Sequence, residues 1–176
     1  MSTQNLTEDE ALLKMRTLVN DINTCLMCTR LMDIPFEARP MTTMEVDEQG
    51  YIWFFSEFGS HKISEILEDP RMQLLYADPA KAHFINLYGT AVVLKDRQKT
   101  QELYSIYTKN WFQKGKDDPS LTLIRFKPES AHYWDNKDGK VLSTLKMIFS
   151  KVLKKNVSGH FDGELRDIRE KDEEGK

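Results

Sequence analysis

A basic pair stands where the sequence predicts the start of a helix, in the stretch FSEFGSHK (55–62). The pattern predicts a strand, a turn through Gly59 and Ser60, and then a helix that begins near His61 and Lys62. Cations are mildly unfavourable at a helix N-terminus, because the unpaired N–H groups and the helix dipole are positive there. A bound phosphate would remove that conflict. The stretch therefore predicts an anion site.

A second group of polar side chains lies in ARPMTTMEVD (38–47), which contains Arg39, Thr42 and Thr43. The turn Asp47–Gly50 separates it from YIWFFSE (51–57), and we predict that the two segments pair as a hairpin. The hairpin would bring Arg39 and Lys62 to one end of the sheet, where they could bind a phosphate by charge-assisted hydrogen bonds. The alternative is that both are ordinary surface cations.

Other chemistry finds little support in the sequence. There is no G-x-S-x-G, P-loop, H-E-x-x-H or G-x-G-x-x-G motif. The histidines have no short metal-ligand spacing, so no metal site is predicted. Cys25 and Cys28 have C-x-x-C spacing, but positions three apart on a strand point to opposite faces. We interpret them as two packed thiols.

Composition limits the class of protein. The chain has 176 residues, 40% hydrophobic and 30% charged, which is typical of one globular domain. A formal charge of −3 argues against a general nucleic-acid binder. No apolar run is long enough for a membrane span, and the first ten residues lack the pattern of a signal peptide. We therefore expect a cytoplasmic protein that binds neither nucleic acid nor membrane.

The remaining periodicity predicts a mainly β domain with helices outside. Predicted helices cover about residues 8–22, 62–69, 97–111 and 141–155; the last has its apolar stripe at Leu142, Leu145, Ile148, Val152 and Leu153. Predicted strands cover 25–31, 38–47, 51–57, 72–78, 83–94 and 121–134, with a bulge or bend at Gly89. Short helices between close strands favour a small antiparallel barrel or sandwich. We expect one domain over 1–155 and a polar, flexible tail over 156–176.

An ordered set of short motifs resembles a known family. The set comprises Arg-Pro-Met (39–41), Gly-Ser-x-Lys (59–62), Asp-Pro-x-Met (69–72), Tyr-Gly-Thr-Ala (88–91), Trp-Phe (111–112) and Tyr-Trp-Asp (133–135). The order resembles the pyridoxamine 5′-phosphate oxidase-like FMN-binding split barrels, and among them the general stress protein 26 branch. The resemblance implies a six-stranded antiparallel Greek-key split β-barrel. It also implies a homodimer that holds FMN, or alternatively FAD, in a groove between the subunits.

The resemblance also assigns roles to single residues. Arg39 and Lys62 match the cations that bind the flavin phosphate, with Ser56 and His61 beside them. The remaining matches are Met41, Thr42 and Thr43 along the edge of the flavin ring, Phe55 beside the ribityl chain, and Trp111 and Trp134 approaching from the partner subunit.

Departures from the true oxidases narrow the expected function. Met44 stands where they have a lysine that holds pyridoxal phosphate, and Phe84 stands where they have a flavin-contacting glutamine. SGHFDGELRDIRE (158–170) lacks their C-terminal arginine and histidine motif. We therefore do not expect a true pyridoxamine-phosphate oxidase.

Four functions remain open. The first is a flavin-dependent oxidoreductase of the stress-protein kind, and the second is a flavin-binding or flavin-buffering protein without turnover. The third is a split barrel that holds haem or a deazaflavin, and the fourth is an interaction module that uses its C-terminal helix.

Overall fold

The computed structural model describes residues 8–104, 115–135 and 145–148. Its helices are α1 (Glu8–Ile22), α2 (His61–Glu68) and α3 (Arg97–Leu103), with a short 3₁₀ turn at Gly115–Asp117. Its strands are β1 (Thr24–Thr29), β2 (Glu37–Thr42), β3 (Glu45–Val46), β4 (Ile52–Glu57), β5 (Arg71–Asp78), β6 (His83–Leu94), β7 (Leu121–Trp134) and β8 (Leu145–Ile148).

The strands form one antiparallel sheet in the order β2-β1-β5-β6-β7-β4-β3, and β8 pairs with β7. The two ends of this order, β2 and β3, are separated in the chain only by Thr43 and Met44. The Thr43 N–H donates to the Asn23 carbonyl beside β1, and the Met44 N–H donates to the Trp53 carbonyl on β4 (both 2.8 Å). The sheet must therefore curl until its two ends meet, which makes the predicted split barrel.

The strand count agrees with the prediction once this junction is considered. β2 and β3 are the two halves of one predicted strand, bent at Thr43–Met44 so that each half pairs with a different neighbour. Counted as one, they complete a six-stranded barrel with β1, β4, β5, β6 and β7. β8 is an additional strand.

The hairpin predicted between residues 38–47 and 51–57 is mostly wrong. Only Glu45 and Val46 pair with β4, whereas β2 pairs along its whole length with β1. The turn itself forms as expected, because the Asp47 carboxylate accepts the Gln49 and Tyr51 N–H groups at 3.1 and 2.8 Å. A local turn signal therefore predicted the bend but not the strand that β2 selects.

The helix predicted over 141–155 is also contradicted where the structure describes it. Leu145–Ile148 is a strand, with Leu145 opposite Tyr133 and Ile148 opposite Ser130. An exposed edge of β7 offers backbone hydrogen bonds that compete with local helical periodicity. The other residues of that predicted helix, and the tail over 156–176, lie outside the described residues. Of the helix predicted over 97–111, α3 covers Arg97–Leu103 and Tyr104 is extended; residues 105–111 lie outside the described residues.

The interior of the barrel receives alternate residues of each strand. On β4, Ile52 and Phe54 are fully buried in the core, whereas Phe55 on the other face is half-buried. α1 packs Met15, Leu18 and Val19 onto this core. Lys14 of α1 also forms an ion pair with Asp135, which follows β7. In the described ranges, no helix is long and apolar enough to cross a membrane.

Candidate functional site

Two cations meet at one end of the barrel, beside the start of α2. Lys62 lies in the first turn of α2, and its Nζ donates to Ser56 Oγ at 3.3 Å and to Ser60 Oγ at 3.2 Å. Ser56 is almost fully buried near the end of β4. Arg39 reaches the same helix from β2, through Glu65. We call Arg39, Ser56, Ser60 and Lys62 the cation cradle.

The start of α2 has features of an anion site. Ser60 is the N-cap residue, but its side chain caps no N–H of the helix, and the first turn holds no acidic residue. Its hydroxyl instead lies near the Ser56 hydroxyl and the Lys62 ammonium. The positive end of the helix therefore faces the cradle without a serine cap or a carboxylate of its own.

Lys62 is held in an unfavourable electrostatic environment. Burial lowers its pKa below the ordinary lysine value, and repulsion from the nearby Arg39 lowers the pKa further. In the described part of the chain, Lys62 forms no ion pair with a carboxylate. Glu57 and Glu65 act on it through longer-range attraction, which raises its pKa but does not outweigh burial and Arg39. A partly buried ammonium of this kind is stabilised by an added anion.

Arg39 has partners that the sequence did not predict. Its Nη1 donates to Thr29 Oγ1 at 2.6 Å and its Nη2 donates to Glu65 Oε2 at 2.8 Å. The Thr29 hydroxyl donates to the same Glu65 oxygen at 2.6 Å, which closes a ring of three hydrogen bonds. Arg39 keeps 19% of its side chain exposed, and a guanidinium has five N–H donors, of which the ring uses two. It can therefore still bind a ligand.

The family is identified by a direct sequence match. The family model described as "Pyridoxamine 5'-phosphate oxidase like" matches residues 10–158. The chain belongs to this family. The prediction from the ordered motifs is thereby confirmed. No curated protein matches the sequence.

Several solved structures share the fold. A Clostridium acetobutylicum protein related to general stress protein 26 has a TM-score of 0.68 at 18% identity, over 84% of this chain and 100% of that one. General stress protein 26 of Bacillus anthracis has a TM-score of 0.61 at 20% identity, over 69% and 92% of the two chains. The general stress FMN/FAD binding protein of Xanthomonas citri has a TM-score of 0.63 at 23% identity, over 87% and 100%.

The three residues predicted at the ring edge have different surroundings. Met41 is half-buried and packs against the core, and Thr42 is exposed on β2. Thr43 is buried, and its hydroxyl pairs with the Tyr76 hydroxyl at 2.7 Å. Its N–H donates to the Asn23 carbonyl, so this N–H is not available to a ligand.

The other predicted residues lie at varied distances from the cradle. His61 is exposed at the start of α2, next to Lys62, and Phe55 is half-buried on the outer face of β4. Trp134 ends the 14-residue β7, whose other end at Leu121 pairs with Glu57 near the cradle. One chain therefore does not bring Trp134 to the two cations. Trp111 lies outside the described residues.

Thr29 and Glu65 are the members of the site that sequence reasoning missed. Threonine suits a strand and glutamate suits a helix, so neither stands out. One signal was present, because Glu65 follows Lys62 by three positions and so lies on a neighbouring part of the same helix surface. The thiols interpreted as packed are indeed free and buried, and burial raises the pKa of Cys25 to about 12.

Proposed function

We propose that this protein binds FMN, with the flavin phosphate in the cation cradle. The observation that carries the proposal is the Lys62 ammonium, which is partly buried near Arg39 and, among the described residues, bonded only to two serine hydroxyls. A phosphate there would accept hydrogen bonds from both cations and would remove their repulsion. The general stress FMN/FAD binding protein, which shares the fold, supports a flavin as the ligand.

The edge of β2 suits the flavin ring. β2 ends the strand order, so among the described strands its second edge has no neighbour along Glu37–Thr42. Backbone groups of successive strand residues point to alternate edges, and the Thr43 N–H points to the β1 side, so the N–H and C=O of Thr42 face the free edge and could bond the polar rim of the flavin ring. When bound, the flavin supplies the hydride or electron transfer of an oxidoreductase.

We further propose that the protein is a homodimer with the flavin between its subunits. Four large apolar residues of β1 and the following segment are exposed: Leu26 (48%), Met32 (74%), Ile34 (101%) and Phe36 (51%). Exposed apolar groups that cluster in this way mark interaction surfaces. The cluster directly precedes Arg39, so a second subunit seated there would also border the cradle and could contribute Trp134 or Trp111. Free thiols at Cys25 and Cys28 agree with a cytoplasmic location.

The first experiment is a fluorescence titration of the purified protein with FMN and, separately, with riboflavin. We expect saturation at one FMN per chain and much weaker binding of riboflavin, which lacks the phosphate. In the Arg39→Ala/Lys62→Ala variant, FMN affinity should fall about 100-fold or more, since two charge-assisted contacts are lost, and riboflavin affinity should change little.

The matched control removes two surface cations elsewhere. Lys81 and Arg97 have side chains 54% and 82% exposed, so Lys81→Ala/Arg97→Ala alters the net charge equally without touching the cradle. Its FMN affinity should stay near that of the unmodified protein. Equal loss of FMN and riboflavin in the cradle variant would refute the phosphate assignment.

Turnover is tested separately from binding. The FMN-loaded protein is mixed with NADH or NADPH without oxygen, and bleaching of the flavin absorbance is followed. Rapid reduction would support an oxidoreductase. Tight FMN binding without reduction by a panel of donors would instead identify a flavin-binding or flavin-buffering protein.

For the dimer, Ile34→Glu places a charge in the apolar cluster, and Leu13→Glu on α1, at a position 65% exposed, serves as its control. We expect Ile34→Glu alone to yield monomers in analytical ultracentrifugation and to weaken FMN binding. A monomeric unmodified protein that still binds FMN fully would contradict the shared site.

A further inference from the structure

Arg39, a member of the cradle, also belongs to a closed ring of three hydrogen bonds with Thr29 and Glu65. Its long side chain starts from an edge strand, where it would otherwise sample many rotamers. Thr29 of β1 and Glu65 of α2 fix two of its N–H groups at 2.6 and 2.8 Å. The side chains of Thr29 and Glu65 are largely withdrawn from water, with Thr29 fully buried and the Glu65 side chain 10% exposed. The ring therefore fixes the position of the guanidinium.

The same ring also connects the two cations of the cradle. Glu65 follows Lys62 by one helical turn on α2, so the Glu65–Arg39 ion pair sets the distance of β2 from the start of that helix. A ligand phosphate must contact Arg39 and Lys62 together, and the cost of ordering Arg39 is already met by the ring. The remaining donors of Arg39 are its Nε and the second N–H of each terminal nitrogen.

We propose that Glu65 and Thr29 are positioning residues for phosphate recognition. They hold the Arg39 guanidinium where it and the Lys62 ammonium can bind the same phosphate. The inference rests on the proposed FMN site. The change in FMN affinity that it predicts for loss of Glu65 is opposite to the change that the charge of Glu65 alone would predict. As an anion near the cradle, Glu65 should repel a phosphate, so a purely competitive role predicts tighter FMN binding when the carboxylate is removed. A positioning role predicts weaker binding.

The test compares FMN with riboflavin in four variants, by fluorescence titration of the full chain. The ratio of the two affinities isolates the phosphate contribution, because a general loss of structure would weaken both flavins alike. In Glu65→Ala, we expect this ratio to fall about tenfold, and in Thr29→Val, which keeps the shape but removes the hydroxyl, about threefold.

Two further variants separate position from charge. Glu65→Gln keeps an oxygen that can accept from both Thr29 and Arg39, so its ratio should stay within about threefold of the unmodified value. Glu68→Ala removes a carboxylate on the same helix that is 69% exposed and pairs only distantly with Arg30, so its ratio should not change.

The outcomes distinguish this inference from the proposed function. If the unmodified protein shows no preference for FMN over riboflavin, the phosphate site itself is refuted. If the preference exists but Glu65→Ala keeps or increases it, the positioning role is refuted and the site stands. Should Glu65→Ala fail to fold, Thr29→Val decides, since an unchanged ratio in that variant also refutes the inference.

Discussion

Lys62 combines features that oppose stability and favour binding. Its ammonium is partly withdrawn from water and lies near another cation, and within the part of the chain that the structure describes its hydrogen-bond partners are two serine hydroxyls. Groups held at such a cost are concentrated at functional sites, because the ligand supplies the missing counter-charge. We therefore expect Lys62 to affect both the pH dependence of FMN binding and the stability of the ligand-free protein.

The preference for FMN should depend on alkaline pH. Since the pKa of Lys62 is lowered, its ammonium loses the proton at a lower pH than an ordinary lysine, whose pKa is about 10.4. FMN affinity should therefore fall relative to riboflavin as pH rises towards that value, and Lys62→Arg should keep the preference to higher pH. A ratio that stays constant up to about pH 10 would contradict a lowered pKa for Lys62 in the free protein.

Lys62→Met should stabilise the ligand-free protein. A lowered pKa in the folded state means that the protonated form costs stability at neutral pH; this cost begins to fall as pH passes the lowered folded-state pKa and is gone above the ordinary pKa of the unfolded chain. Without the ammonium, we expect Tm at neutral pH to rise, while FMN binding weakens at least tenfold. Lys81→Met, on an exposed residue, is the control. A lower Tm for Lys62→Met would show that the hydroxyl contacts outweigh the burial.

The cations of the site were predictable and their supports were not. Arg39 and Lys62 stand out in sequence because of the turn and helix signals beside them. The predicted reason for their meeting was wrong, since α2 and the Glu65 ion pair bring them together and a β2–β4 hairpin does not. Thr29 and Glu65 acquire their roles only through the barrel, which no local pattern describes.

At the level of elements, β6 and β7 form the longest pairing in the sheet, and it is interrupted by a bulge. The register shifts between Tyr88 and Gly89, where the sequence predicted a bulge or bend. A Cβ on Gly89 would lie 2.0 Å from the Lys127 carbonyl oxygen, which belongs to the backbone and cannot swing aside. Glycine is therefore required here by close approach of two backbones.

Gly89→Ala should destabilise the fold by about 3 kcal/mol or more, because one of the two strands must move. Gly59→Ala gives a useful comparison. Gly59 has a φ of +90° but no atom within 4 Å of an added Cβ, so only backbone strain of about 1–2 kcal/mol is expected. Denaturant unfolding measures both variants. Equal losses would mean that the bulge can relax.

The strands were predicted well where the hydrophobic periodicity of the sequence matches the secondary structure that forms. Buried residues alternate with partly exposed ones over much of β5, β6 and β7, and the predicted bounds of these strands match the structure closely. The region around Leu145–Ile148 has an apolar spacing that suits a helix, yet it pairs with the edge of β7. The decisive partner there is distant in sequence, so periodicity alone could not reveal it.

On the scale of the whole molecule, a buried hydroxyl pair lies where the two ends of the sheet meet. Thr43, in the junction between β2 and β3, bonds Tyr76 of β5 at 2.7 Å, and both side chains are buried. Tyr76→Phe leaves the Thr43 hydroxyl without this partner, so we expect a loss of about 1–3 kcal/mol in the free energy of unfolding.

The double variant Thr43→Val/Tyr76→Phe removes both polar groups and should recover part of that loss. Denaturant titrations of the four proteins complete the cycle. A double variant as unstable as the sum of the two single variants would show that the pair is not coupled.

The length of the junction at Thr43–Met44 also limits the circumference of the barrel. The chain leaves β1 at Thr42 and joins β4 at Glu45, so two residues must span the gap between opposite ends of the sheet. An added residue here would either widen the barrel or shift β3 by one position and reverse its faces. We therefore expect natural relatives to vary in length at exposed turns such as Asp47–Gly50, while the number of residues from Arg39 to Glu45, across this junction, stays fixed.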